Sequence, residues 1–221
     1  MNIKDCLTIG VKTAVSGIPY FGTFIAEIMD YGASNTEKKK TTQYFKCVDE
    51  KLSKCCADVE ELKKDEFGFS MFVKSYRMWQ VEAESSKLNC YANAVKNSYI
   101  SNVSVTKKLL FANKLSEYSV ELLELLHYFS IDHFVDESNE NRLVFYGEEK
   151  MIDTILKELP KYNGNEDLLC YMVNSLIKDG FIKPFEFEIP LQKQKAYGKW
   201  TTKMGDEFLQ FISDESEQKN N

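Results

Sequence analysis

Between Phe45 and Leu62 the apolar residues recur at Phe45, Val48, Leu52, Cys55, Val59 and Leu62, at spacings of 3, 4, 3, 4 and 3, and Lys, Glu, Asp or Ser largely fill the gaps. An α-helix turns once in about 3.6 residues, so this rhythm lines one stripe of a helix, whereas a strand requires alternation by two. The spacing predicts a helix over 36–64, with Ser34 or Thr36 as its N-cap. So narrow a stripe is either a seam for association with another chain or one face of an intramolecular bundle, and spacing alone serves both.

The same rhythm continues with larger side chains. Phe69, Phe72, Tyr76, Trp79, Ala83, Cys90 and Ala94 predict a helix over 66–100, broken at Ser101-Asn102. A third helix is expected over 105–129, carrying Leu109, Ala112, Leu115, Leu122, Leu126 and Phe129. Ahead of them, residues 3–31 are apolar and punctuated by glycine, and Gly17-Ile18-Pro19 divides them into an expected hairpin of short helices. These pieces predict an antiparallel helical bundle over 1–116.

The C-terminal half reads differently. A helix over Glu148 to Leu159 should stop before Pro160, and the amphipathic run Asn165 to Asp179 predicts a helix ending at Gly180. Phe181 to Phe187 resembles a strand, a Lys/Gln-rich turn follows, and Trp200-Thr201-Thr202 leads into a last helix, KMGDEFLQFI. Helix, turn, helix, hairpin and helix is the order of a winged helix. The expectation is therefore a mostly α chain with a winged-helix-like α+β module over 117–213, a small β-hairpin within it, and a frayed polar tail over 214–221.

Charge is divided unevenly. The net of −6 separates into +3 over residues 1–117 and −9 over 118–221. The half that looks like a DNA-binding module is thus the acidic one, which opposes phosphate unless cations gather on one face. Candidate contacts to DNA or to a partner are Lys193, Lys195 and Lys199 around the wing, with Asn174 and Lys178 on the presumed recognition helix. That helix lacks an arginine to read guanine edges.

Signs of chemistry are sparse. His127 and His133 stand six apart, not at the i, i+4 spacing of a helical metal pair. The six cysteines, Cys6, Cys47, Cys55, Cys56, Cys90 and Cys170, match neither a secreted disulfide framework nor a zinc-ligand pattern. They suit small buried apolar roles in a reducing cytoplasm. There is no phosphate-binding glycine loop and no nucleophile elbow. We expect no catalytic residues, no metal and no cofactor. The uncharged run Thr13 to Ala26 is too short to span about 30 Å of hydrocarbon as a helix, so membrane contact is expected only conditionally.

Two stretches carry a resemblance. The run Tyr91-Ala92-Asn93-Ala94-Val95-Lys96-Asn97-Ser98, behind the Phe/Tyr/Trp face and Glu82-x-Glu84-Ser85-Ser86-Lys87, is similar to the middle of a group of uncharacterised bacterial proteins. The ending, Leu176 to Ile182 followed by Trp200-Thr201-Thr202-Lys203-Met204-Gly205-Asp206-Glu207-Phe208-Leu209-Gln210-Phe211-Ile212, resembles the close of the same group. The resemblance implies a helical bundle with a winged-helix-like C-terminus, encoded near prophage or mobile-element genes. It implies that Thr202 starts the last helix, that Gly205 permits close packing, and that Phe208, Leu209 and Ile212 fill the core. No active site comes with it.

The expectation is a cytoplasmic, non-catalytic interaction protein, homo-oligomeric or bound to a protein partner, with a winged-helix DNA-binding regulator as the alternative. A conditional membrane effector acting through residues 3–31 comes third.

Overall fold

A computed structural model describes residues 34–55, 62, 64–131, 150–189 and 199–214. Eight α-helices lie among them: α1 (Asn35–Ser53), α2 (Glu66–Val81), α3 (Leu88–Ile100), α4 (Val105–Glu117), α5 (Val120–Ser130), α6 (Met151–Glu158), α7 (Glu166–Lys178) and α8 (Lys203–Ile212). Short 3₁₀ turns at Ser85–Lys87 and Pro160–Tyr162 complete the regular structure. Among the described residues no helix is long and apolar enough to cross a membrane. The expected hairpin over 3–31, His133, the wing lysines Lys193 and Lys195, and Val59 of the seam lie outside the described residues.

The chain forms two compact units. One holds the described residues up to Tyr118 together with those from Gln210 onward, and the other runs from Ser119 to Leu209. The end of α8 and Asp214 belong with the first unit.

Each long helix predicted for the first unit is shorter than its apolar rhythm. Helix α1 opens with a capping box: the Ser34 hydroxyl accepts from Glu37 N–H, and the Glu37 carboxylate accepts from Ser34 N–H. It ends at Ser53, so the seam is no continuous stripe to residue 64. Phe45, Val48, Leu52 and Leu62 are buried, while Cys55 sits half-buried in the turn beyond the helix. The seam residues of α1 pack in the core of their own unit, against α2 and α3.

The helix expected over 66–100 breaks at Glu82. Its backbone there is extended, and its carboxylate turns back to accept Glu84 N–H, the Lys87 ammonium and the Tyr91 hydroxyl. A local carboxylate satisfying a backbone donor competes with helix continuation, which apolar spacing does not register. Ala83 therefore lies in the exposed break instead of in a core stripe. The helix expected over 105–129 likewise divides at Tyr118, where the Ser119 hydroxyl accepts Leu122 N–H and starts α5. Leu109 is exposed, and Phe111, Ala112 and Leu115 supply the buried face of α4.

In the second unit the winged-helix strand pair does not form among the described residues. Ile182 and Thr201 make an isolated antiparallel bridge, with Lys183 N–H donating to Trp200 C=O at 2.9 Å and Thr202 N–H to Phe181 C=O at 2.9 Å. The next rung would be Trp200 N–H onto Lys183 C=O, but Trp200 N–H donates to Phe129 C=O at 2.9 Å, so the ladder stops there. The run Phe181 to Phe187 is aromatic packing in place of a strand: Phe181 stacks on Phe208 with centroids 4.8 Å apart, and Phe185 meets Trp200 edge-on at 4.9 Å. Helix α7 ends as expected, its chain reversed by Gly180 at φ 77°.

Candidate functional site

Helix α3 is the unusual element of the first unit. Every residue from Tyr91 to Ser98 is buried, including Asn93, Lys96, Asn97 and Ser98. A helix buried all round is ordinarily apolar all round. Here the polar positions at i, i+3 and i+4 share one face, and buried polar groups persist only with hydrogen-bond partners.

The partners are the C-terminal residues of the same unit. Asn97 Nδ2 lies 2.9 Å from Gln210 C=O, 2.9 Å from Phe211 C=O and 3.0 Å from Ser213 C=O. An amide carries two hydrogens, so three acceptors share them in a bifurcated arrangement. Asn93 Nδ2 donates to Ile212 C=O at 3.1 Å. The last four carbonyls of a helix have no partner within it, and these two asparagines supply that of α8.

One residue further, Asp214 is 4% exposed. Its carboxylate accepts Lys51 Nζ at 3.0 Å, Lys96 Nζ at 3.1 Å and Lys54 Nζ at 3.3 Å. Burial pushes the Asp214 carboxyl upward, but the hydrogen bonds and charges of Lys51 and Lys96 outweigh it and hold the group well below the usual carboxylate range. Asp214 is therefore not the start of a frayed tail. Residues 215–221 lie outside the described residues.

The two stretches that carry the sequence resemblance meet at this clamp. Asn93, Lys96 and Asn97 come from one and the end of α8 from the other. Lysine repeats the device elsewhere in the unit. Lys40 Nζ caps the end of α2 on Gln80 C=O at 3.3 Å and Glu82 C=O at 2.5 Å, and Lys108 Nζ caps α3 on Ser98 C=O at 2.6 Å and Ser101 C=O at 2.8 Å. Burial pulls the Lys108 ammonium below its ordinary range, with Asp65 partly opposing.

The residues singled out from the sequence lie elsewhere. Asn174 and Lys178 stand on the solvent face of α7, where Leu168 is 51% and Tyr171 71% exposed. Lys199 is exposed, but its ammonium pairs with Asp206 in the first turn of α8, while its carbonyl accepts from Lys183 Nζ. His127 lies exposed in the last turn of α5. No group of three or more metal-ligating side chains occurs among the described residues. Burial pushes the thiols of Cys47 and Cys170 up, with Lys51 partly opposing at Cys47 and Asp167 adding to the effect at Cys170. Both are poor nucleophiles at neutral pH.

Thr202 and Gly205 place the last helix. Thr202 Oγ1 accepts Gly205 N–H at 3.1 Å and donates to Gly180 C=O at 2.6 Å. A Cβ on Gly205 would fall 2.1 Å from Phe181 C=O, so a side chain there collides with backbone. Comparison with protein families, with curated proteins and with solved structures gives no match for this chain.

Proposed function

We propose that this chain is a non-catalytic interaction protein, its second unit a winged-helix-like scaffold presenting α7 to a protein partner. The observation that carries the reading is the exposure of Tyr171 and Leu168 on that helix. A tyrosine held out on a rigid helix is an amphipathic anchor with little rotamer entropy to lose, and such residues concentrate where proteins meet. The first turn of α7 is acidic, with Glu166 and Asp167, which suits a protein surface better than a phosphate backbone. The strong buried polar groups of the first unit are engaged within it, Asn97 and Lys108 on helix ends and Lys96 on the Asp214 carboxylate.

The test is a photo-crosslinking amino acid at position 171, with position 77 on the first unit as control. The reading expects a crosslinked protein from 171 that is missing from 77, and no retention of mixed-sequence duplex DNA at low salt. Salt-sensitive DNA binding with no crosslink from 171 would replace it with nucleic-acid recognition.

A further inference from the structure

We infer that the partner of α7 is a second copy of this chain, the two helices lying antiparallel across a two-fold axis near Met172 and Val173. This rests on the reading of α7 as the interaction face and names what occupies it. Asp167, Tyr171, Asn174 and Lys178 are exposed, and their spacings of 4, 3 and 4 put them on one stripe. A two-fold axis midway along the stripe carries position 167 onto 178 and position 171 onto 174. The carboxylate of Asp167 then meets the ammonium of Lys178 twice per dimer, and the Tyr171 ring lies against the Asn174 amide. A surface that complements itself under a two-fold operation is what an isologous dimer requires.

The alternatives are worse. A parallel pair sets Asp167 beside Asp167 and Lys178 beside Lys178, and it aligns the helix dipoles unfavourably. Glu166 and Asp179 fall on opposite flanks of the stripe, so the antiparallel pair keeps those carboxylates apart. Glu166 is in addition turned back onto Gly164 N–H at 2.9 Å. Leu168 adds apolar area on one flank. Helix α7 is roughly 20 Å long at 1.5 Å per residue, so the contact is well below the standard interface size.

Sedimentation equilibrium over a concentration series tests the pairing. The full-length protein should show a monomer–dimer equilibrium. Asp167→Lys alone and Lys178→Asp alone should each weaken it roughly tenfold or more, because each creates two like-charge contacts. An equimolar mixture of the two variants should recover dimers near the wild-type affinity. In the mixed dimer the substituted side chains, now opposite in sign, face each other, and so do the native ones. Recovery in the mixture also shows that both variants are folded. A wild-type protein that stays monomeric throughout, or a mixture no better than either variant, overturns the pairing. If the chain is monomeric while position 171 crosslinks to a different protein, self-pairing fails and the interaction reading stands. If neither occurs, both fail.

Discussion

Replacing Asp214 by Asn tests how much of the first unit depends on its C-terminal clamp. The substitution keeps size and removes charge. Lys51 and Lys96, with side chains 9% and 4% exposed, lose the anion that both share. Breaking a buried ion pair by removing one partner costs about 3–5 kcal/mol, because the surviving charge stays desolvated. The two pairs share one carboxylate and do not add. Lys54, 59% exposed, contributes little. The asparagine carbonyl still accepts one hydrogen bond, which puts the loss near the lower figure, about 3 kcal/mol. The chain's two tryptophans divide between the units, Trp79 in the first and Trp200 in the second, so Trp200→Phe leaves Trp79 as sole reporter of the first. With a urea dependence of about 2 kcal/mol per molar, Asp214→Asn in that background should lower the midpoint by about 1.5 M. The pH dependence gives a second signature. The folded-state pKa is depressed, so the stabilisation is present above the unfolded carboxyl's value near 4 and is lost as pH falls below it. The Asn variant should lack that part of the acid slope. A midpoint shift under about 0.3 M would refute the argument, since the lysines would then be solvated without Asp214.

Three further outcomes follow from the geometry. Asn97→Asp replaces a donor by an acceptor facing the three carbonyls of Gln210, Phe211 and Ser213, and should destabilise more than Asn97→Ala, whose cost is about 1–3 kcal/mol by the same urea assay. Gly205→Ala should cost about 2 kcal/mol or more, read from Trp200 in a Trp79→Phe background, because its Cβ meets the Phe181 carbonyl; the control Gly164→Ala meets no neighbour and carries only its positive-φ strain of about 1 kcal/mol. Cys47 and Cys170 should alkylate more slowly in the native protein than in urea, measured by mass spectrometry of the labelled peptides.

Among the described residues, apolar spacing locates the helices but not their ends. Phe45, Val48 and Leu52 are buried as their rhythm requires, yet α1 stops at Ser53 although the rhythm continues through Leu62. The breaks at Glu82 and Ser119 come from single side chains satisfying nearby backbone N–H groups, a local competition that leaves no periodic trace. The aromatic content of Phe181 to Phe187 resembles strand propensity. Those rings serve stacking, and Pro184 was the contrary signal. Asp214 looked like the start of a polar tail because its partners are 118 and 163 positions away. The visible hint was Asn93, Lys96 and Asn97, three polar residues on one face inside an otherwise apolar run, which ask for a partner that only the fold identifies.

The clamp also sets the order in which this protein can be made. The carboxylate that neutralises Lys51 and Lys96 and the carbonyls that receive the Asn93 and Asn97 amides come from Gln210 onward, so the whole of Ser119–Leu209 is an insertion within the first unit. A ribosome that has delivered α1 to α4 has delivered a bundle with two lysine ammoniums facing inward and no anion for them. That bundle waits until the inserted unit has been synthesised and the closing segment has left the exit tunnel. Translation that stops just short of Asp214 yields a chain whose second unit is complete in sequence and whose first unit lacks the anion for Lys51 and Lys96. Its exposed core is the kind of surface that chaperones hold and proteases cut. Synthesis of Gln210 to Asp214 is thereby coupled to closure of the bundle.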